Sequence, residues 1–176
     1  GSSACFVVHD FLPLRRPEWS IEGVQREFPV WLSSLVAHAD RLICVSASVA
    51  DDVRLWVTEN AEWLKPNPLL RISNFHLGAD IESSVPSLGM PADSGELLGK
   101  MAEQPSFMMV GTLEPRKGHA QVLAAFESLW SEGKNYNLFI VGKQGWNVEE
   151  LSERMRRHPR LGKQLFWLHD ISDEFL

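Results

Sequence analysis

Ser106-Phe107-Met108-Met109-Val110-Gly111-Thr112-Leu113-Glu114-Pro115-Arg116-Lys117-Gly118 is the stretch on which the fold turns. Phe107 to Val110 form a short apolar run, and Ser106 to Val110 read as a buried strand that leads directly into a loop bounded by glycines. Beyond the loop, Val122, Phe126, Leu129 and Trp130 recur at helical spacing and predict a helix over 120–131. The apolar run after Asn137 predicts a further strand at 137–141, with a further helix at 148–157 and a last strand at 165–168. Such an alternation is expected to give a parallel sheet with right-handed crossovers.

The same alternation is legible upstream. Cys5-Phe6-Val7-Val8 predicts a buried strand that delivers His9 and Asp10 at its carboxyl end. Val24, Phe28, Trp31, Leu32, Leu35 and Val36 predict a helix from about Ile21 onward, bent or interrupted at Pro29. A second strand is expected at 41–45, a helix capped by Ser46 to Ser48 and carrying Val49, Val53, Trp56 and Val57, and a third strand at 69–75. Three of the seven tryptophans, Trp31, Trp56 and Trp130, are expected in the core. Between 80 and 105 the composition turns to Ser, Gly, Pro and acidic residues, which predicts a linker at 81–105 between α/β portions at 1–80 and 106–176.

Composition narrows the classes of function. The chain has 176 residues, 44% of them hydrophobic, enough for a core. A formal charge of -6 argues against nucleic-acid binding, which needs a basic face, so an anionic ligand has to be held by local groups. Cys5 and Cys44 stand far apart and outside CxxC contexts, and the histidines lack HExxH-type spacing, so neither a disulfide framework nor a metal site is expected. No apolar stretch reaches the roughly 20 residues of a membrane-spanning helix, and the expectation is a soluble, cytoplasmic protein.

The chemistry is expected at strand ends, where open α/β sheets bind ligands. In the loop 111–118, backbone N–H groups and the following helix N-terminus can face an anion, and Arg116 and Lys117 add charge. The loop lacks both GxxxxGK[ST] and GxGxxG, so Walker and dinucleotide-binding readings drop out. Val141-Gly142-Lys143-Gln144-Gly145-Trp146 forms a second such loop, whose glycines would allow close approach of a nucleotide. His9 can serve as a general base or hydrogen-bond partner, with Asp10 orienting it or contacting a sugar hydroxyl. His169-Asp170 invites the same reading with less force, as a polar strand end. The charges from Glu149 to Arg157 suit a solvated helix face, acids early and bases late.

Taken in order, residues 7–14 (Val-Val-His-Asp-Phe-Leu-Pro-Leu), 39–46 (Ala-Asp-Arg-Leu-Ile-Cys-Val-Ser), 110–118, 138–143 and 171–176 resemble glycosyltransferase family 4, also called group 1. The resemblance implies a GT-B-like α/β fold, with portions of two Rossmann-like domains carrying parallel sheets and joined by a linker. It makes 1–80 the C-terminal portion of the acceptor-side domain and 106–176 the N-terminal portion of the nucleotide-sugar-binding domain. It implies a retaining transfer of a hexose such as mannose from a nucleotide-diphosphate sugar, GDP-linked first and UDP-linked second. The acceptor would be a glycan or a lipid-linked glycan in bacterial surface polysaccharide synthesis, compatible with peripheral association at the inner membrane face. By this resemblance Lys117 contacts the diphosphate and stabilises the leaving nucleotide. Gly111, Thr112, Arg116, Gly142 and Lys143 complete the donor-binding set, and His9 and Asp10 stand near the reacting sugar. No cofactor is implied. Thr112 occupies a position where the family often has arginine, which puts a two-cation clamp in question. The family's paired glutamates do not occur here, so the intact protein is expected to be the enzyme and this chain alone inactive; a non-catalytic nucleotide-binding or interaction module is the alternative.

Overall fold

The computed structural model describes residues 3–80 and 83–176, and the chain divides into two compact units, 1–82 and 83–176. Each is α/β with a three-stranded parallel sheet. Among the described residues no helix is long and apolar enough to cross a membrane.

In the first unit β1 (Cys5–Val8), β2 (Arg41–Cys44) and β3 (Arg71–Asn74) lie in the order β1-β2-β3, with Cys5 opposite Arg41 and Arg41 opposite Arg71. A short α1 (Leu12–Arg15) and then α2 (Glu22–His38) connect β1 to β2, while α3 (Ala47–Glu59) and α4 (Ala61–Leu64) connect β2 to β3. Ser46 caps α3, its hydroxyl accepting from the Val49 amide at 3.2 Å. The central strand buries Leu42 and Cys44 against Leu32, Val36, Ala50 and Val53. β1 was expected to be buried throughout, but at the sheet edge only Val8 is; Cys5, Phe6 and Val7 are exposed.

α2 runs unbroken through Pro29. Its inward stripe is Leu32, Leu35 and Val36. Trp31 precedes Leu32 by one residue, a rotation of about 100°, and therefore leaves the core: it is 41% exposed and leans on Phe28 at 5.2 Å between ring centroids. Trp56 is half-buried between Phe11 and Trp63, and Trp130 is buried with its indole N–H donating to the Tyr136 carbonyl at 2.8 Å.

In the second unit α5 (Ser94–Glu103) precedes β4 (Ser106–Val110), α6 (His119–Ser131), β5 (Asn137–Val141), α7 (Glu149–Arg156) and β6 (Leu165–Leu168). The sheet order is β4-β5-β6. β5 is central and buried at all five residues, whereas β4, read as buried, exposes Phe107, Met108 and Val110 at its edge. α6 and α7 cover one face through Leu123, Phe126, Trp130, Val148 and Met155. α5 lies inside the stretch read as a linker. Its Leu97 packs with Phe139 and Phe166, whose rings stack at 4.5 Å.

Asn137 fastens α5 to the sheet. The side chain is 1% exposed, and its amide donates to the Lys100 carbonyl at 2.7 Å and to the Ser106 hydroxyl at 3.1 Å, while Gln104 donates to its oxygen. Asn137→Ala strands these half-buried partners, and urea denaturation should show a loss of about 1–3 kcal/mol.

Candidate functional site

The site is built by two loops at the carboxyl edge of the second sheet. Gly111, directly after β4, has φ of 140°, a conformation that favours glycine. Its amide donates to the Val141 carbonyl at 2.8 Å, and the Leu113 amide donates to the Lys143 carbonyl at 2.9 Å. The Gly145 amide returns a bond to the Leu113 carbonyl at 3.0 Å. Parallel pairing thus continues past the strand ends, and Leu113 is fully buried.

The two glycines of the second loop make this possible. A Cβ at Gly142 would stand 2.1 Å from the Gly111 carbonyl oxygen, and one at Gly145 would stand 2.4 Å from the Leu113 carbonyl oxygen. The close approach expected for a nucleotide at these glycines is taken instead by the neighbouring loop's backbone.

With Leu113 fixed, Glu114 is buried and accepts from Arg116 Nε at 2.7 Å. Pro115–Lys117 forms one 3-10 turn, and Gly118, at φ of 76°, starts α6. Lys117 folds back so that its ammonium lies 3.5 Å from where a Gly111 Cβ would be. Among the described residues no carboxylate pairs with it. The two basic residues therefore differ: Arg116 neutralises a buried acid, and Lys117 keeps its charge beside Gly111.

A cleft of about 510 Å³ opens over the strand ends, lined by Gly111, Thr112, Gly142, Lys143, His169 and Asp170 among others. Lys143 pairs with Asp170 at 2.9 Å, and the other Asp170 oxygen lies 3.0 Å from His169 Nδ1. Lys143, then His169, hold the Asp170 carboxyl below its usual range. This His-Asp pair has less weight in the sequence than His9-Asp10, yet every strand of a parallel sheet ends at the same edge, which brings the end of β6 to the cleft. Close by, Asp173 accepts from the Ser87 amide at 2.8 Å and hydroxyl at 2.7 Å, and Glu174 from the Gly89 amide at 2.7 Å.

His119, at the first turn of α6, was also missed. It is 1% exposed and neither ring nitrogen has a protein partner among the described residues. It borders a second hollow of about 690 Å³ with Glu114, Glu149, Glu150 and Arg154. Burial, then the Lys117 charge, push its imidazole below the ordinary value of 6.5, against a smaller upward pull from Glu114. Among the described residues no group of three His, Cys, Asp or Glu side chains is placed to hold a metal ion.

His9 and Asp10 lie in the first unit, at the carboxyl end of β1. His9 is exposed. Asp10 accepts from the Leu12 amide at 3.1 Å and so shapes the turn into α1. Of the residues singled out in the sequence, the structure brings Gly111, Thr112, Gly142 and Lys143 together in one cleft, with Lys117 against Gly111 and Arg116 turned to Glu114.

Residues 96–176 match the family described as Glycosyl transferases group 1. Over its whole length the chain is 73% identical to a serotype-specific mannosyltransferase WbdA of Escherichia coli and 72% identical to two others of that name and organism. It spans only 21–22% of the length of these relatives. No solved structure matches it.

Gly142→Ala forces the two loops apart and should cost about 3 kcal/mol, the upper end of ordinary point-mutant effects, read as a lowered denaturation midpoint. The His119 imidazole sets a pH dependence of defined sign. Its folded value is depressed, so the unfolded chain takes the proton first and stability falls as the pH drops below about 6.5. Denaturation at about pH 7 and about pH 5.5 should show a smaller loss in His119→Gln than in the native chain.

Proposed function

We propose that the protein carrying this chain, whose residues 96–176 match the group 1 glycosyl transferases, is a retaining glycosyltransferase of bacterial surface polysaccharide synthesis. It moves a hexose, mannose first, from a nucleoside-diphosphate sugar to a glycan or lipid-linked acceptor. The observation that carries this reading is the 73% identity across all 176 residues to a mannosyltransferase. Lys117 beside Gly111, uncommitted to any carboxylate among the described residues, gives that reading a chemical basis.

Departure of the nucleotide places negative charge on its diphosphate. An ammonium beside Gly111 stabilises that charge more in the transition state than in the ground state, which is what accelerates transfer. In this reading Lys117 is the principal contact, the Gly111 and Thr112 backbone faces the phosphates, and the cleft that these two residues share with Gly142 and Lys143 receives the donor. Arg116 acts through Glu114 by holding the loop. His9, in the first unit, supports the reacting sugar, and Asp10 sets the turn that presents it. The reaction runs in the cytoplasm, with a lipid-linked acceptor drawing the protein to the inner membrane face.

Calorimetric titration of the folded protein with GDP and with UDP, for the native chain and Lys117→Ala at one salt concentration, tests the donor site. Native binding of GDP in preference to UDP, weakened about 10- to 100-fold in Lys117→Ala, is the expected result. A folded native protein that takes up neither nucleotide sinks the reading.

A further inference from the structure

Lys143 and Asp170 are the two oppositely charged side chains that line the cleft at the sheet edge, and they are bonded to each other. A carboxylate is out of place in a cleft meant for a diphosphate, since like charges repel there. Its position is nonetheless well determined. Gly142, immediately before Lys143, donates to the Leu168 carbonyl at 2.8 Å and accepts from the Trp167 indole at 2.9 Å. The ends of β5 and β6 are thereby locked together. Asp170 itself adopts φ of 58°, a conformation that Asp tolerates better than most residues, and this turns its carboxylate toward Lys143. Arg116 is held by the buried Glu114 and position 112 is a neutral threonine, so Lys143 is the one cation lining this cleft among the described residues.

We propose that Asp170 is a positioning residue for the donor: its carboxylate holds the Lys143 ammonium at the cleft and competes with the diphosphate for it. The inference rests on the donor reading above and adds a second phosphate cation with its built-in competitor. Both partners are largely exposed, 72% and 65%, so the pair is weak and exchange is easy. When Lys143 swings to a phosphate, His169 remains 3.0 Å from Asp170 and keeps the carboxylate from being left without a partner. The same competition favours release of the nucleoside diphosphate once the sugar has gone, because the carboxylate reclaims its lysine.

The test is calorimetric titration of the full natural chain with GDP and, separately, with guanosine, in native, Asp170→Asn, Lys143→Gln and doubly substituted forms. Asp170→Asn should bind GDP about two- to fivefold more tightly, the range of an exposed ion pair. Guanosine affinity should stay unchanged, and the gain should vanish in the Lys143→Gln background. Asn accepts the left-handed conformation at 170, and Asp170→Gly provides a second variant that meets the same backbone demand. Unchanged or weakened GDP binding in both Asp170 variants, or a gain that persists without Lys143, overturns the inference while leaving the donor site intact. A native protein that binds neither GDP nor UDP overturns the donor reading and this inference with it.

Discussion

The Gly111 carbonyl oxygen occupies space that a side chain at position 142 would need. The 2.1 Å separation from a Cβ built there leaves no room for adjustment by rotation, because the Cβ is fixed by its own backbone and the oxygen is itself a backbone atom. Glycine at 142 lets two strand-end loops lie in contact and exchange hydrogen bonds as though the sheet continued. Leu113 is then forced inward, and its burial fixes where the rest of the first loop begins. The position of every charge in the loop follows from that contact, since Glu114, Arg116 and Lys117 stand one, three and four residues beyond Leu113.

Charge is divided within the loop by desolvation. A buried carboxylate is unfavourable unless a cation and hydrogen bonds compensate it, and Glu114 has Arg116 for this purpose. The guanidinium cannot serve a ligand equally while it satisfies that acid. Lys117, one residue on, is spared and lies beside Gly111. Its charge also bears on the inside of the unit, where it adds to burial in keeping His119 neutral. Two adjacent cations thus have different tasks because one of them faces an acid that the fold has removed from water.

Periodicity made the elements of the second unit from β4 onward legible almost to the residue, since 107–110, 138–141 and 165–168 are uninterrupted apolar runs. The same runs could not distinguish a central strand from an edge one, because that depends on neighbours: β5 is buried throughout while β4 and β1 are not. α5 was hidden by Gly95 and Gly99, which look like linker composition but sit with open space beside them. Trp31 was misplaced because a large aromatic near an apolar stripe is easily assigned to it, and a single residue of rotation decides the matter. The glycine motifs were visible as glycines; what they approach was not, since a backbone contact between two loops leaves no compositional trace.

The dipeptide His-Asp occurs twice at equivalent places, after β1 and after β6, each an edge strand of a parallel three-stranded sheet. The outcomes differ. Asp10 bonds the Leu12 amide and becomes part of a turn, whereas Asp170 bonds Lys143 and His169 above a cleft. The adjacent strand accounts for the difference. β2 ends in Cys44-Val45-Ser46, which offers no cation, and β5 ends in Val141-Gly142-Lys143, which does. Where β1 leads directly to a short helix, the carboxylate caps the local backbone. Where β6 turns at a left-handed aspartate, the carboxylate reaches across to its neighbour. The chemistry of a strand-end acid is therefore fixed by what the next strand delivers to the same edge, and topology decides that before the dipeptide itself has any say.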